Sequence, residues 1–548
     1  MNKLILFLLG ASIASCTPAN DPASPTYGEV FFSNTSWNNE WSDLSRFSSD
    51  AEVLDLSWQF LGMDSISGID REYPENLISG EPVLLPHRLD APNHSLWYRA
   101  QIELPPGLLG IRADDGTQLW VNGKRLHRSD LGEFFEITTA GAKELLIRVV
   151  NNAMAGGLHS VYWMERQDFE SWKERTEDKQ DSLLLVRKRE LLQSQSLSNA
   201  NLDEYPILFS SPVMLLGTDG IHYVRWISEK AGECFLQFPD GSREVISSQD
   251  GVFTYEFDQH TLSFDLGQEK TFHGKYTFAK PSLSDHVKLA VWGDSQGGWE
   301  TFDELSKLIG RQQVDYSIGL GDLVNDGSET WAYERFLEAA AQMKTVQIPV
   351  PGNHDYDGYY EDLAPTLLRS RVFREEELTY GVNYLGPVAL MRLDPNEFFP
   401  VSLPEKSAQL NWFLEVIESE KWRNSAWKIL AIHQPPYSQG WPGYHGEISI
   451  RKLLEPYFHR GLIDVVMAGH THDYERLSQD FSGSQVQFFI FGGAGGGLEP
   501  VGEDSLFPQM DQLIKKHHVG LMDLDETSLS LKVLDQSGGT LDSLFLRK

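Results

Sequence analysis

Seven side chains that can bind metal ions follow five short apolar segments in the second half of the chain. They are Asp294, Gln296, Asp322, Asn353, His433, His470 and His472. Each apolar segment has the length and composition of a buried parallel strand, and most of them lead into a glycine just before the metal-binding side chain. Because ligands of open α/β sheets bind beyond the carboxyl ends of the strands, these side chains are predicted to meet at one edge of a sheet.

The donor atoms of this set indicate which metals it suits. Carboxylate, amide and imidazole donors without a thiolate argue against soft-metal and iron–sulfur sites. Seven donors are enough for two ions. Paired divalent ions can generate hydroxide near neutral pH, so a site of this kind is suited to hydrolysis.

The motifs around these residues resemble those of a known family. In chain order they are Gly293-Asp294-Ser295-Gln296, Gly321-Asp322 with Asp326, Gly352-Asn353-His354-Asp355, His433 to Tyr437, and Gly469-His470-Thr471-His472. The set resembles the calcineurin-like metallophosphoesterases. The segment from His472 to Arg476 looks most like the purple acid phosphatase branch.

The resemblance implies a role for each residue. Asp294, Gln296 and His472 would hold one ion, Asn353, His433 and His470 the other, and Asp322 would bridge them. His354 would act as general acid or hold a phosphoryl oxygen, and a carboxylate such as Asp326 would fix its tautomer. Arg476, His445 and Tyr437 are candidate substrate contacts.

Two positions depart from the family pattern. Asn325 stands where purple acid phosphatases have a tyrosine, so nothing supports a purple ferric centre. Gln296 stands where many relatives have histidine, and a neutral amide oxygen is a poorer donor. The expected cofactors are therefore two divalent ions, manganese, iron or zinc, with manganese, magnesium or ferrous ion favoured over zinc at the first position.

The elements before the metal motifs predict a multi-domain chain. Residues 31–165 show short alternating strands and resemble the galactose-binding-like β-sandwich, which leaves carbohydrate as a possible partner. Residues 166–204 read as a helical linker and 205–282 as a second sandwich that resembles fibronectin-III-like domains. Residues 285–548 alternate strands and helices, which predicts an α/β two-sheet metallophosphoesterase core.

The start of the chain predicts export. Residues 1–16 have a basic residue followed by a short apolar run, as in a secretory signal, and residues 17–30 read as a tether. Ile13 to Cys16 resembles the lipobox of bacterial lipoproteins, so Cys16 is expected to carry lipid. The expected location is the cell envelope, anchored to a bacterial membrane.

Charge limits the partners. The chain of 548 residues has 79 acidic and 46 basic side chains and a net charge of -33, which repels nucleic acid. A small phosphate ester is the expected substrate, with phosphomonoesters favoured and phosphodiesters or nucleotides as the alternative. A hypothesis of another class is a surface protein that binds glycan or protein and whose metal fold is catalytically silent.

Overall fold

The computed structural model describes most of the chain after residue 50. The described residues are 51–65, 80–91, 94–113, 116–127, 134–151, 155–194, 201–282, 285–325, 327, 330–356, 366–398, 401–500 and 508–548. The predicted signal, the tether, Cys16 and Asp326 lie outside these residues. The described residues include no helix with the length and hydropathy of a transmembrane span.

Antiparallel strands occupy the described part of residues 51–165. They are β1 (Glu52–Val53), β2 (Trp58–Ser65), β3 (Glu81–Val83), β4 (His87–Asp90), β5 (His94–Leu104), β6 (Gly107–Ala113), β7 (Gly116–Val121), β8 (Lys124–Leu126), β9 (Phe134–Ile137), β10 (Gly141–Asn151) and β11 (Ala155–Glu165). One sheet has the order β3-β2-β5-β10-β7-β8 and the other β1-β11-β6-β9, with β4 also paired to β11. Tyr98 and Ile147 of the first sheet share a buried cluster with Leu109 and Val161 of the second. Two sheets therefore enclose one core, as expected for a sandwich, whereas the galactose-binding-like relationship stays a prediction.

A long helix, α1 (Arg166–Ser194), follows the sandwich. Near its start Phe169 and Trp172 pack against Leu108 of the sandwich. Farther along, the buried ammonium of Lys188 lies 2.8 Å from a carboxylate oxygen of Glu229, in the next β segment. The predicted linker is thus helical over most of its length and contacts the segments on both sides.

The remaining elements build the C-terminal half of the chain. Its strands are β12 (Leu208–Leu216), β13 (His222–Ser228), β14 (Gly232–Gln237), β15 (Arg243–Ser248), β16 (Val252–Glu256), β17 (Thr261–Gln268), β18 (Thr271–Ala279), β19 (His286–Trp292), β20 (Tyr316–Leu320), β21 (Val346–Val350), β22 (Gly381–Leu385), β23 (Val388–Arg392), β24 (Trp427–Ala431), β25 (Val465–Ala468), β26 (Tyr474–Phe481), β27 (Ser484–Phe491), β28 (Gln512–Ile514), β29 (His518–Asp525), β30 (Ser528–Asp535) and β31 (Thr540–Arg547). Its helices are α2 (Trp299–Gly310), α3 (Thr330–Ala341), α4 (Thr366–Arg371), α5 (Ala408–Glu418), α6 (Glu420–Arg423) and α7 (Ile448–Phe458).

Two large mixed sheets form the centre of this half. Over the described residues, one has the order β16-β13-β12-β21-β20-β19-β29-β30-β31 and the other β22-β23-β24-β25-β27-β26-β28. Leu289 and Ile318 of the first sheet and Ile429 and Met467 of the second lie in one buried cluster. Helices α2, α3 and α4 cover the outer face of the first sheet. Helices α5, α6 and α7 cover the outer face of the second. The predicted two-sheet α/β core is present.

The β segment at 205–282 differs from the expected independent sandwich. Its strands β12, β13 and β16 belong to the same sheet as β19, β20 and β21, while β14, β15, β17 and β18 form a separate sheet of four strands among the described residues. Strand β12 runs parallel to β21, with Leu215 opposite Gln347. The segment therefore shares a sheet with the α/β core. The fibronectin-III-like relationship stays a prediction.

Candidate metal centre

The predicted ligands follow strands that are parallel to one another within each sheet. Asp294 and Gln296 follow β19, Asp322 follows β20 and Asn353 follows β21, and these three strands pair in parallel. His433 follows β24, and His470 and His472 follow β25, its parallel neighbour in the other sheet. Parallel strands end at the same edge, so the ligands from both sheets meet where the two edges face each other.

The ligand atoms form two overlapping groups. Among the described residues, Asp322, His433 and His470 offer atoms that lie within 4.8 Å of one another, and so do Asp294, Asp322 and His472. Asp322 belongs to both groups and lies between them. This is the arrangement that the sequence predicted for a carboxylate that bridges two ions.

Strained backbone holds several of these residues in place. Asp294, Asp322 and His470 have φ values of 62°, 51° and 74°, and Gln296 has 36°. Non-glycine residues rarely adopt this region, and such residues cluster at functional sites, where the surrounding structure enforces them. Each of these residues follows a strand closely, so the left-handed turn aims its side chain over the sheet edge.

The glycines of the motifs leave room for the ligands. A Cβ on Gly469 would lie 2.4 Å from Oδ2 of Asp294, and one on Gly352 would lie 2.2 Å from Oδ1 of Asp322. Both distances are far below van der Waals contact. Gly469 and Gly352, which precede His470 and Asn353, therefore let the backbone of these loops approach a carboxylate.

Hydrogen bonds fix which ring nitrogen faces the centre. Nδ1 of His433 donates to the carbonyl of Leu320 at 2.7 Å. Nδ1 of His472 donates to the carbonyl of Gly497 at 2.6 Å. The opposite nitrogens then carry lone pairs: Nε2 of His433 lies 3.2 Å from Oδ1 of Asp322, and Nε2 of His472 lies 3.6 Å from Oδ1 of Asp294. Such bonds orient metal-binding imidazoles.

The two predicted amide ligands differ in orientation. Oδ1 of Asn353 lies 3.2 Å from Nε2 of His433 and accepts a hydrogen bond from Gln434 at 3.3 Å, so its oxygen faces the centre. Gln296 instead donates from Nε2 to Oδ2 of Asp322 at 2.8 Å. In this orientation Gln296 holds the bridging carboxylate, and a half-turn of its amide would be needed for its oxygen to bind metal. Its role as a ligand stays a prediction.

Electrostatics favour cation binding. Burial and the charge of Asp322 raise the pKa of Asp294 well above its usual value. Burial also acts to raise the pKa of Asp322, but the nearby imidazoles of His433 and His354 outweigh it and lower that pKa. Burial lowers the pKa of His470 and of His472, which keeps them in the neutral form that binds metal. Two adjacent buried carboxylates and neutral imidazoles are a donor set that a divalent cation would neutralise, so the residues fit the predicted ions.

His354 lies beside this centre. Its backbone N–H donates to Oδ1 of Asp322 at 2.9 Å, and its Nδ1 donates to the carbonyl of Asn325 at 2.8 Å. A backbone carbonyl thus fixes the tautomer, the role that the sequence assigned to a carboxylate such as Asp326. Nε2 of His354 carries the lone pair that can take up a proton or contact substrate.

The three predicted substrate contacts have structural partners among the described residues, and their contact with substrate stays a prediction. Tyr437 is 5% exposed, sits in the cluster beneath α7, and packs on Phe488 at 5.0 Å between ring centroids. Arg476 binds Oδ2 of Asp542 through Nε at 2.8 Å, an ion pair with the last strand. Both are placed as structural residues. His445 is half-buried on the loop that follows β24, and its carbonyl accepts a hydrogen bond from Arg451.

Two buried carboxylates have structural roles that the sequence analysis did not assign. Asp355 accepts from the backbone N–H of Gly352 at 2.8 Å and of Leu323 at 3.2 Å, so it ties the loops of two ligands together. Burial and the charge of Asp322 raise the pKa of Asp355 to about 7. Glu475, three residues after His472, anchors the loop after β24. The only sequence feature that could have identified these two carboxylates is their position inside or just after the ligand motifs.

A shared carboxylate between two ligand groups, at facing edges of a double sheet, fits the dinuclear metal site of a hydrolase such as a phosphatase or nuclease. Residues 287–474 match the family model described as calcineurin-like phosphoesterase. The chain therefore carries a calcineurin-like metallophosphoesterase domain over residues 287–474, which supports a metallophosphoesterase enzyme with a dinuclear divalent centre.

Purple acid phosphatases are among the known proteins with similar sequences and folds. Purple acid phosphatase 5 of Arabidopsis thaliana is 26% identical over 304 residues, which cover 51% of this chain and 69% of that protein. Fe(3+)-Zn(2+) purple acid phosphatase 12 of Arabidopsis thaliana is 28% identical over 115 residues, covering 18% of this chain and 24% of the relative. The structure of purple acid phosphatase PPD1 from yellow lupin (Lupinus luteus) seeds matches with a TM-score of 0.52 at 13% identity, over 83% of this chain and 93% of that one. At that identity the structural likeness shows the fold alone.

Proposed function

We propose that the protein hydrolyses a small phosphate ester, with phosphomonoesters favoured over phosphodiesters and nucleotides. The observation that carries the proposal is the position of Asp322 in both ligand groups, because a shared carboxylate allows two ions to lie close together. The names of the similar phosphatases support the monoester preference. The complete pair of ligand groups argues against a catalytically silent binding protein.

The residues divide the chemistry among them. The bound ions would supply a hydroxide nucleophile and neutralise charge on the phosphoryl oxygens. Asp322, His433 and His470 would hold one position, and Asp294, Asp322 and His472 the other. His354, oriented by the carbonyl of Asn325, would donate a proton to the leaving oxygen through Nε2 or hold a phosphoryl oxygen.

The metals are proposed to be manganese, iron or zinc in the divalent state. One relative is named as an Fe(3+)-Zn(2+) enzyme. Asn325 stands in this chain where that branch has tyrosine, so we expect a protein without a purple charge-transfer colour. Metal analysis together with a visible spectrum tests this point.

Asp322→Asn tests the proposed function. Hydrolysis of p-nitrophenyl phosphate and of its bis-ester is measured with added manganese, zinc or ferrous ion, alongside metal content. We expect the variant to lose hydrolysis and metal while keeping its circular dichroism spectrum. Asp480→Asn is the matched control and should keep both, because Asp480 is an exposed aspartate near the end of β26 that accepts from the N–H of Gly483. Unchanged turnover in Asp322→Asn would show that the proposed centre is not the active site. A faster reaction of the native enzyme with the bis-ester would favour the phosphodiesterase alternative.

We also propose that the protein is exported and anchored by lipid on Cys16. The basic start, the short apolar run and the lipobox-like tetrad support this proposal. Labelling with a radioactive fatty acid in a bacterial host should mark the native chain and not Cys16→Ser. Label in both, or in neither, would contradict the anchor. Carbohydrate binding by the first sandwich stays a prediction.

A further inference from the structure

Residues 438–447 form the later part of the loop that joins β24 to α7, and this part places two aromatic rings against a predicted metal ligand. The ring of Trp441 lies 5.6 Å from the ring of His470, at an interplanar angle of 70°. The ring of Tyr444 lies 5.3 Å from it at 69°. Trp441 and Tyr444 are themselves 5.3 Å apart, and we call this pair the aromatic wall.

Hydrogen bonds to Glu475 fix the part of the loop that precedes Trp441. Oε1 of Glu475 accepts from the hydroxyl of Ser438 at 2.7 Å and from the N–H of Gly440 at 2.9 Å, and Oε2 accepts from the N–H of Gln439 at 2.8 Å. Glu475 is 1% exposed. Lys515 also donates to the carbonyl of Gly440 at 2.8 Å. Three residues in succession are thus fixed directly before Trp441, so the aromatic wall is positioned before a ligand arrives.

The two rings of the wall differ in exposure. Tyr444 is buried at 4% exposure, whereas Trp441 is only partly buried. Packing around His470 accounts for Tyr444. The indole of Trp441 contacts the same ligand ring and keeps part of its apolar surface exposed, so it can still contact a ligand.

The position of the wall relative to substrate follows from the ligand geometry. An ion held by His470 would lie about 2 Å from the ring nitrogen that binds it. A phosphoryl group bound to that ion would then lie near the ring that Trp441 contacts. Aromatic rings interact favourably with centroids about 4.5–7 Å apart, so a planar group attached to that phosphoryl group is within reach of the indole.

We propose that the aromatic wall binds the leaving group of the substrate, and that the enzyme prefers phosphate esters whose leaving group carries a planar ring. This inference rests on the proposed function and names the substrate class of the same site. Trp441 is the specificity-determining residue, and Glu475 is a positioning residue that acts through the loop.

Binding of two phosphonates that are not hydrolysed tests the inference without relying on turnover. Phenylphosphonate carries a planar ring and methylphosphonate does not, while both present the same oxygens to the ions. In Trp441→Ala we expect the dissociation constant of phenylphosphonate, measured by calorimetry on the metal-loaded enzyme, to rise about 5-fold to 10-fold. That of methylphosphonate should change less than about 2-fold. Trp441→Phe, which keeps a ring, should show a smaller rise.

The same contrast is then measured on esters. In Trp441→Ala, kcat/KM should fall for phenyl phosphate and stay near the native value for ethyl phosphate. Adenosine monophosphate serves as a third substrate, in which ribose separates the ring from the phosphate. Trp412→Ala is the matched control, because Trp412 is a partly buried tryptophan on α5 that packs on Tyr380. It should leave both phosphonate constants unchanged.

Each result decides the inference. Equal weakening of both phosphonates would show that Trp441 only packs His470, and no weakening of either would show that the ring does not contact ligand. Either result overturns the proposal. Should Trp441→Ala lose its fold or its metal, Trp441→Leu and Trp441→Phe fill the same space, and equal phenylphosphonate binding by these two overturns it as well. A native enzyme that binds phosphonates but hydrolyses no ester would refute the proposed function and leave the wall to be judged by binding alone.

Discussion

Substitution of His354 is predicted to lower the rate of hydrolysis more than any other substitution that leaves the metal content intact. Its Nδ1 is fixed by the carbonyl of Asn325, and its ring is not among the two ligand groups found in the described residues. We expect His354→Ala to lower kcat about 100-fold to 10,000-fold, the usual range for loss of a general acid. Metal content, measured on the same preparation, should stay at the native level.

The exposed His459, which contacts Ser482, gives the control variant His459→Ala, which should keep native kcat. A fall in metal content for His354→Ala would instead identify His354 as a ligand. An unchanged kcat would show that His354 takes no part in the reaction.

At the residue scale, the sequence predicted which side chains meet at the centre better than it predicted the residues to which side chains bond. The carboxylates and histidines came together as expected, because each follows a buried strand and strand ends are set by local pattern. Tyr437 and Arg476, each only four residues from a ligand, have structural partners outside the ligand set. Arg476 finds its partner Asp542 on β31, and His354 finds a backbone carbonyl. Neither partner carries a local sequence signal.

At the scale of the strand–loop elements, Gly469 allows the loop after β25 to pass close to the first carboxylate. A methyl group there would lie 2.4 Å from Oδ2 of Asp294 and 3.3 Å from Nδ1 of His433. We expect Gly469→Ala to displace these ligands and to lower both metal content and hydrolysis by at least about 10-fold, as when groups that orient ligands are lost. Metal analysis and a phosphatase assay measure the two effects.

Gly483 provides the comparison for that variant. It has a φ of 96° in the turn between β26 and β27, and an added Cβ there meets nothing within 4 Å. Gly483→Ala should therefore cost about 1–2 kcal/mol of stability from backbone strain and leave activity intact. If Gly469→Ala retained native metal content, the close approach would not matter to the site.

Strand assignment was also easier than sheet assignment. Alternating apolar residues correctly indicated strands in the 205–282 segment, but nothing local shows that β12 pairs with β21, more than a hundred residues later. Parallel pairing of distant strands depends on the burial of both faces, which a local window does not contain. The predicted boundary before residue 285 therefore separates elements that share a sheet.

At the scale of the whole molecule, His518 links stability to pH. It is fully buried, its ring packs on Tyr474 at 5.5 Å, and burial lowers its pKa from 6.5 to about 4. Between these values the unfolded chain binds a proton that the folded chain does not. The contribution of neutral His518 to the free energy of unfolding is therefore complete above pH 6.5. It is lost as the pH drops towards 4, by roughly 3 kcal/mol in total.

His518→Phe should remove this contribution, because phenylalanine keeps the ring contacts and does not titrate. Urea unfolding of both proteins at pH 7.5 and pH 5.0, with a chelator present, should show a smaller loss of stability in the variant by roughly 2 kcal/mol. The chelator removes the coupling of metal binding to pH. Equal losses in the two proteins would show that His518 does not contribute.

The shared sheet leads to a prediction about which part of the chain folds alone. Leu216, Trp226 and Phe253 from the 205–282 segment lie in the same buried cluster as Leu289 and Ile348 of the metal-binding half. Removal of the segment would expose that cluster and an edge of β21, and exposed apolar surface next to an unpaired strand promotes aggregation. We expect residues 201–548 to unfold in a single cooperative transition and to bind metal, and residues 285–548 to aggregate or to lack such a transition. Calorimetry of the two purified fragments, with the full chain as reference, measures this difference. A soluble 285–548 fragment with the same unfolding temperature as 201–548 would mean that the strand pairing adds nothing to the stability of the catalytic half.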